Sequence, residues 1–177
     1  MTETTTGRAV SAAPPGLLAR GFAVLRIFFG LIYLSNGIAK AIEKFQYDWG
    51  FMSFNLITKG GARGLATSAA ESTAIAPLRF VFQEFVLPNW GFFGWFLTVA
   101  ELLIGLALVL GVATRAAALG ALALIGPIAL MLIDSGQYLW LYPVDLVPLA
   151  LLAIVPAGRT AGFDGRLAAR FGDRWPF

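Results

Sequence analysis

A bundle of four transmembrane helices is the fold class that this sequence predicts, and three observations carry it. The 177-residue chain is 58% hydrophobic, holds 20 glycines besides, and is only 13% charged. Its mean hydropathy is +0.77. A water-soluble domain averages about 45–50% apolar residues with glycine included, so a chain of this size has no interior large enough to hide the excess. Finally, the apolar residues gather in four stretches, near Leu17–Ala41, Trp90–Gly111, Ala116–Ile133 and Leu139–Pro156. Each approaches the roughly 17–25 residues that cross a bilayer, and the last is the shortest. Only helices and closed barrels satisfy their backbone groups in lipid. The stretches are continuous and lack two-residue alternation, so the reading is an all-α membrane protein.

The elements follow in order. Residues 1–16 are polar and end in Pro14-Pro15-Gly16. They lack a basic start before a short apolar core, and read as a disordered tail rather than a signal peptide. Residues 17–156 form the membrane domain, with a long outer loop at 42–89. Within the loop, Phe45–Trp49 and Phe51–Phe54 are aromatic-rich, and Lys59–Ser72 is rich in Gly, Ala and Ser and reads as mobile. Leu78–Leu87 is apolar but too short to span, which suits an interfacial helix over the bundle's outer mouth. Pro127, Pro143 and Pro148 are expected to loosen the third and fourth helices. In the C-terminal segment 157–177, Asp164 is placed to cap a short basic helix, Gly165–Phe171.

Basic residues set the orientation. Arg8, Arg20, Arg115, Arg159, Arg166, Arg170 and Arg174 would share one side with both termini. On the other side Lys40, Lys44, Lys59, Arg63 and Arg79 are offset by Glu43, Asp48, Glu71 and Glu84. Both termini are therefore expected in the cytoplasm, in a cell inner membrane. Trp90, Trp95, Tyr138, Trp140 and Tyr142 would form an aromatic belt at the outer interface.

Composition also excludes chemistry. The chain has no cysteine and no histidine, and a net charge of +3. It cannot by itself hold an iron–sulfur cluster, ligate haem through imidazole, attack with a thiolate, or build a His-containing zinc site. No metal site is expected, and nucleic acid is not an expected partner.

Charges at bilayer depth cost about 2.5–3.5 kcal/mol each on insertion scales, so each demands a partner or a purpose. Arg26 falls in the inner third of the first helix, Lys40 at its outer end, Glu101 mid-way along the second and Asp145 about two turns into the fourth. Arg26, Gly30, Tyr33, Gly37, Lys40 and Lys44 recur at steps of three or four, as do Gly94, Thr98, Glu101 and Gly105. Small residues allow close helix approach and polar ones turn away from lipid, so the two stripes should meet in the interior. Depth suggests Arg26 paired with Glu101 and Lys40 paired with Asp145, with Asn36 one turn below Lys40. Such pairs can serve packing alone. They can also line a polar pocket for a small acid or a quinone head group, with Arg26, Tyr33, Asn36 and Lys40 as donors and Glu101 and, less centrally, Asp145 beside them. No catalytic residue is assigned.

The residues resemble those of the DoxX family of small four-helix membrane proteins. Leu25-Arg26-Ile27-Phe28-Phe29-Gly30 through Asn36-Gly37-Ile38-Ala39-Lys40 carries the first part of the pattern. Glu101-x-x-x-Gly105-x-x-Leu108-x-x-Gly111-x-x-Thr114-Arg115 carries the second, and Gly158…Phe163-Asp164 the last, with Phe163 where the family has Leu. The long outer loop is closer to the DoxD branch, the membrane subunit of thiosulfate:quinone oxidoreductase. The resemblance implies a membrane subunit of a redox-linked system with quinone as the candidate cofactor. Without cysteine, any thiol or thiosulfate step would fall to a partner subunit. Two other readings stand beside it. One is a non-catalytic accessory subunit packed against a larger membrane complex, or an oligomer. The other is a small-solute transporter, for which no inverted repeat is visible.

Overall fold

The computed structural model describes residues 15–133, 136, 143–172 and 174–177. The expected tail up to residue 14, most of the Asp134–Tyr138 turn, the start of the fourth stretch at 139–142, and the belt residues Tyr138, Trp140 and Tyr142 lie outside them. The chain runs α1 (Pro15–Ile42), β1 (Gln46–Asp48), β2 (Ser53–Asn55), α2 (Lys59–Ser72), α3 (Ala76–Val81), α4 (Trp90–Leu110), α5 (Thr114–Met131), α6 (Pro143–Ile154) and α7 (Asp164–Phe171).

Three of these helices are long and apolar enough to cross a membrane: Gly16–Ile42, Trp90–Leu110 and Thr114–Met131. Four were expected from the sequence. Among the described residues the last stretch contributes α6, 12 residues long and carrying Pro148 inside. The helices expose many large apolar side chains and bury several polar ones. Val24, Phe28, Leu31, Phe92, Phe96, Leu103, Leu106 and Ile154 all face outward, while Arg26, Lys40, Thr98, Thr114 and Asp164 are buried. Water would penalise that arrangement and lipid favours it, because lipid solvates the apolar faces and drives polar groups inward. This is the arrangement of a helical membrane protein.

Glycine sets the central contact. α1 and α4 pack antiparallel, and a Cβ at Gly30 would stand 2.7 Å from the Val109 nitrogen. At Gly105 it would stand 2.8 Å from the Leu34 Cα, and at Gly37 2.9 Å from the Leu102 side chain. Backbones this close gain dispersion contacts that lipid tails cannot supply. α5 packs against α4 and α6 against α5. Phe29, Ile104, Leu108, Ala117, Ala118, Ala121, Leu149 and Leu152 fill the space between.

The long loop after α1 is more ordered than its composition suggests. β1 and β2 form an antiparallel hairpin with Tyr47 opposite Phe54, their rings stacked with centroids 5.5 Å apart. Gly50 takes a positive φ of 78° in its turn, and its N–H donates to Asp48. The segment expected to be mobile, Lys59–Ser72, is instead the helix α2. Alanine is the strongest helix former, and Ala62, Ala66, Ala69 and Ala70 make a small buried face. Thr58 caps the helix by accepting from the Gly61 N–H. The expected short apolar helix is α3, which continues into a π-helical turn, Phe82–Val86. Its Leu78 and Phe82 pack with Leu87 on Ala69, Ala70 and Met131.

At the opposite end a second assembly closes the bundle. Gly111, in left-handed conformation, ends α4. Asp164 was expected to cap its own helix. It opens α7, but its carboxylate caps α5 instead, accepting from the Ala113 N–H at 2.6 Å and the Thr114 N–H at 3.0 Å. α5 has no capping side chain of its own, so the carboxylate satisfies otherwise orphaned donors at its positive end. Gly158 leaves room for this: a Cβ there would collide with Asp164 and Thr114.

Candidate functional site

The antiparallel register of α1 and α4 decides which charges meet. Lys40 pairs with Glu101, Nζ to Oε2 at 2.8 Å. The expected Arg26–Glu101 and Lys40–Asp145 pairs do not form. Lys40 and Glu101 stand level because α1 and α4 run antiparallel; Arg26 is nearly four turns earlier in α1. Arg26 instead joins the capping assembly at the other end. It is fully buried, donates from Nη2 to the Ala161 carbonyl at 2.8 Å, and lies in the field of Asp164. Its Nη1 sits between Gly111 and Gly162, where a Cβ on either would collide with it. Among the described residues, Nε and Nη1 have no hydrogen-bond partner.

The ion pair lies at the wall of a cavity of about 270 Å³. Of the residues singled out from sequence, Tyr33, Asn36, Lys40, Glu101 and Asp145 line it, and Arg26 does not. α1 contributes Phe29, Ile32, Tyr33, Asn36 and Lys40 along one edge; α4 contributes Leu97 and Glu101. α5 and the residue after it supply Leu124, Ile125, Ile128 and Leu132, and α6 supplies Asp145. Ile57, Ala62 and Leu65 close one end, so α2 forms part of the roof.

The roof is tied down by polar contacts. The Ile57 N–H donates to Asn36 Oδ1 at 3.2 Å, while Asn36 Nδ2 donates to the Ile32 carbonyl. Lys59, the first residue of α2, lies 3.5 Å from Glu43 and over the Trp95 ring at 3.7 Å. Deeper in, the Tyr33 hydroxyl donates to the Ala121 carbonyl at 3.4 Å and feels the fields of Asp145 and Glu101. Thr98 returns its hydroxyl to the Gly94 carbonyl at 2.7 Å and stays out of the lining.

Sequence reasoning missed the apolar lining. Phe29 and Ile32 follow the same helical steps as Tyr33, Asn36 and Lys40, so α1 contained a usable signal. Ile57, Ala62 and Leu65 had none, since nothing local says that α2 folds over the bundle. Among the described residues no group of three or more acidic, Cys or His side chains is placed to hold a metal ion.

Fold and site together define a helical membrane protein with an apolar-walled cavity and a buried Lys–Glu pair in its wall. Comparison of the chain with protein-family models, with curated proteins and with solved structures finds no match.

Proposed function

We propose that this chain is a DoxX-type membrane subunit of a redox-linked system, and that its cavity receives a quinone head group. The observation that carries the reading is the cavity itself. About 270 Å³ of space falls just below the usual range for ligand pockets, which begins at roughly 300 Å³, and suits one ring with its tail outside. Apolar walls from Phe29, Ile125, Ile128 and Leu97 surround a few convergent polar groups, the usual composition of such sites. With no Cys or His in the chain, an electron-transfer centre belongs to a partner. In this reading residues 139–156 complete a fourth span, both termini face the cytoplasm, and the bilayer is the inner membrane. Organic extraction of the gently purified protein is the test. A quinone recovered in near-stoichiometric amount, and lost in Glu101→Gln, supports the reading; an extract holding lipid alone rejects it.

A second reading, an accessory subunit docked on a larger complex, draws on the hairpin. Phe45, Trp49 and Phe51 stand exposed around it, Phe51 at 86%. Aromatics displayed together suit a protein partner. Co-migration with a larger assembly after mild solubilisation, abolished by Phe51→Ser, is the expected result; a lone monomer that keeps its quinone removes this reading.

A further inference from the structure

The polar groups of the cavity are unequally divided between donors and acceptors. Asn36 spends one of its two N–H donors on Ile32 and accepts from Ile57. The Tyr33 hydroxyl hydrogen is directed at Ala121. Lys40 is buried and held by Glu101 through one of its three N–H donors. The acceptor side is in surplus. Each carboxylate has two oxygens and about four lone-pair sites and, when ionised, donates nothing. Glu101 has only Lys40 to satisfy it. Asp145 lines the same cavity and receives no hydrogen bond or ion pair from any described residue. It stands in the first turn of α6. The lining therefore carries one positive and two negative side chains, Lys40 against Glu101 and Asp145.

An anion would meet net repulsion there. A ligand whose polar atoms are carbonyl oxygens would compete with Glu101 for Lys40 and would bring no donor to Asp145, leaving that carboxylate desolvated and unpaired, which is costly. A ligand that brings its own donors reverses both effects. We infer that the cavity selects the reduced, hydroxyl-bearing form of its ligand, a quinol over the corresponding quinone, with Asp145 accepting a hydrogen bond from a ring hydroxyl. This rests on the quinone reading above and adds the oxidation state and the residue that reads it.

Tetramethyl-1,4-benzoquinol, held reduced under argon, and its quinone are titrated calorimetrically into the delipidated protein in detergent. A hydrogen bond to a charged group predicts at least about tenfold tighter binding of the quinol. Asp145→Asn should erase that ratio mainly by weakening quinol binding, and Asp145→Glu should retain it. Equal affinities, tighter quinone binding, or a ratio unchanged in Asp145→Asn overturns the inference and leaves the quinone reading standing. Failure of both forms to bind the wild-type protein overturns both. The wild-type ratio needs no variant, so an Asp145→Asn protein that does not fold leaves the test decisive.

Discussion

Replacing Lys40 by methionine would strand the Glu101 carboxylate inside the bundle. The two groups lie 2.8 Å apart, with side chains only 2% and 12% exposed. Removing one partner of a buried pair costs about 3–5 kcal/mol, because the remaining charge has lost its compensation. Glu101 borders the cavity, so water can reach it in part and the lower figure applies. A chain of this length shifts its thermal midpoint by about 2–4 °C per kcal/mol, so Lys40→Met should melt about 6–12 °C lower in detergent. The double variant Lys40→Met/Glu101→Leu removes both charges and fills the space with apolar atoms. It should recover most of the loss, since an apolar replacement of a buried pair is often neutral. Midpoints followed by tryptophan fluorescence for the wild type, both single variants and the double variant complete the cycle. A Lys40→Met midpoint equal to the wild type, or a double variant no more stable than Lys40→Met, would refute the reasoning.

Two further outcomes follow from the packing. Gly105→Ala should lower the thermal midpoint by the equivalent of about 1–3 kcal/mol, since its Cβ would press on the Leu34 backbone, whereas Gly21→Ala, with no atom within 4 Å of its Cβ, should not. Asp164→Ala should leave the Ala113 and Thr114 N–H groups unpaired and cost about 1–2 kcal/mol, seen as faster amide exchange confined to the first turn of α5; unchanged exchange there would deny the cap.

How far the site could be read from sequence depended on the range of the information. Lys40 and Glu101 stood out because charge in an apolar helix is expensive wherever the helix packs. Their pairing was read wrongly because depth along single helices does not give the register between them. Gly30 and Gly105 set that register, and it is the meeting of two particular backbones, not the spacing within either, that puts Lys40 level with Glu101. Asp164 misled for a related reason. An acidic residue at the start of a helix ordinarily caps that helix, but the chain turn at Gly158–Gly162 carries its carboxylate to a different one. α2 was hidden by its small residues. Their low hydropathy reads as loop, while their size is what lets the helix lie close against its neighbours.

By itself the sequence determined the solvent and the element type. Hydropathy and run length require lipid and helices, because no other arrangement satisfies both the side chains and the backbone. It also excluded thiol and imidazole chemistry through the absence of Cys and His. The tertiary structure alone decided that Lys40 rather than Arg26 holds Glu101, that Arg26 belongs to the α4–α5 turn and the chain's return, and that α2 roofs a cavity. These outcomes are long-range. Each depends on how closely two helices approach and at what height, and that is set by where glycine and alanine remove the bulk between them.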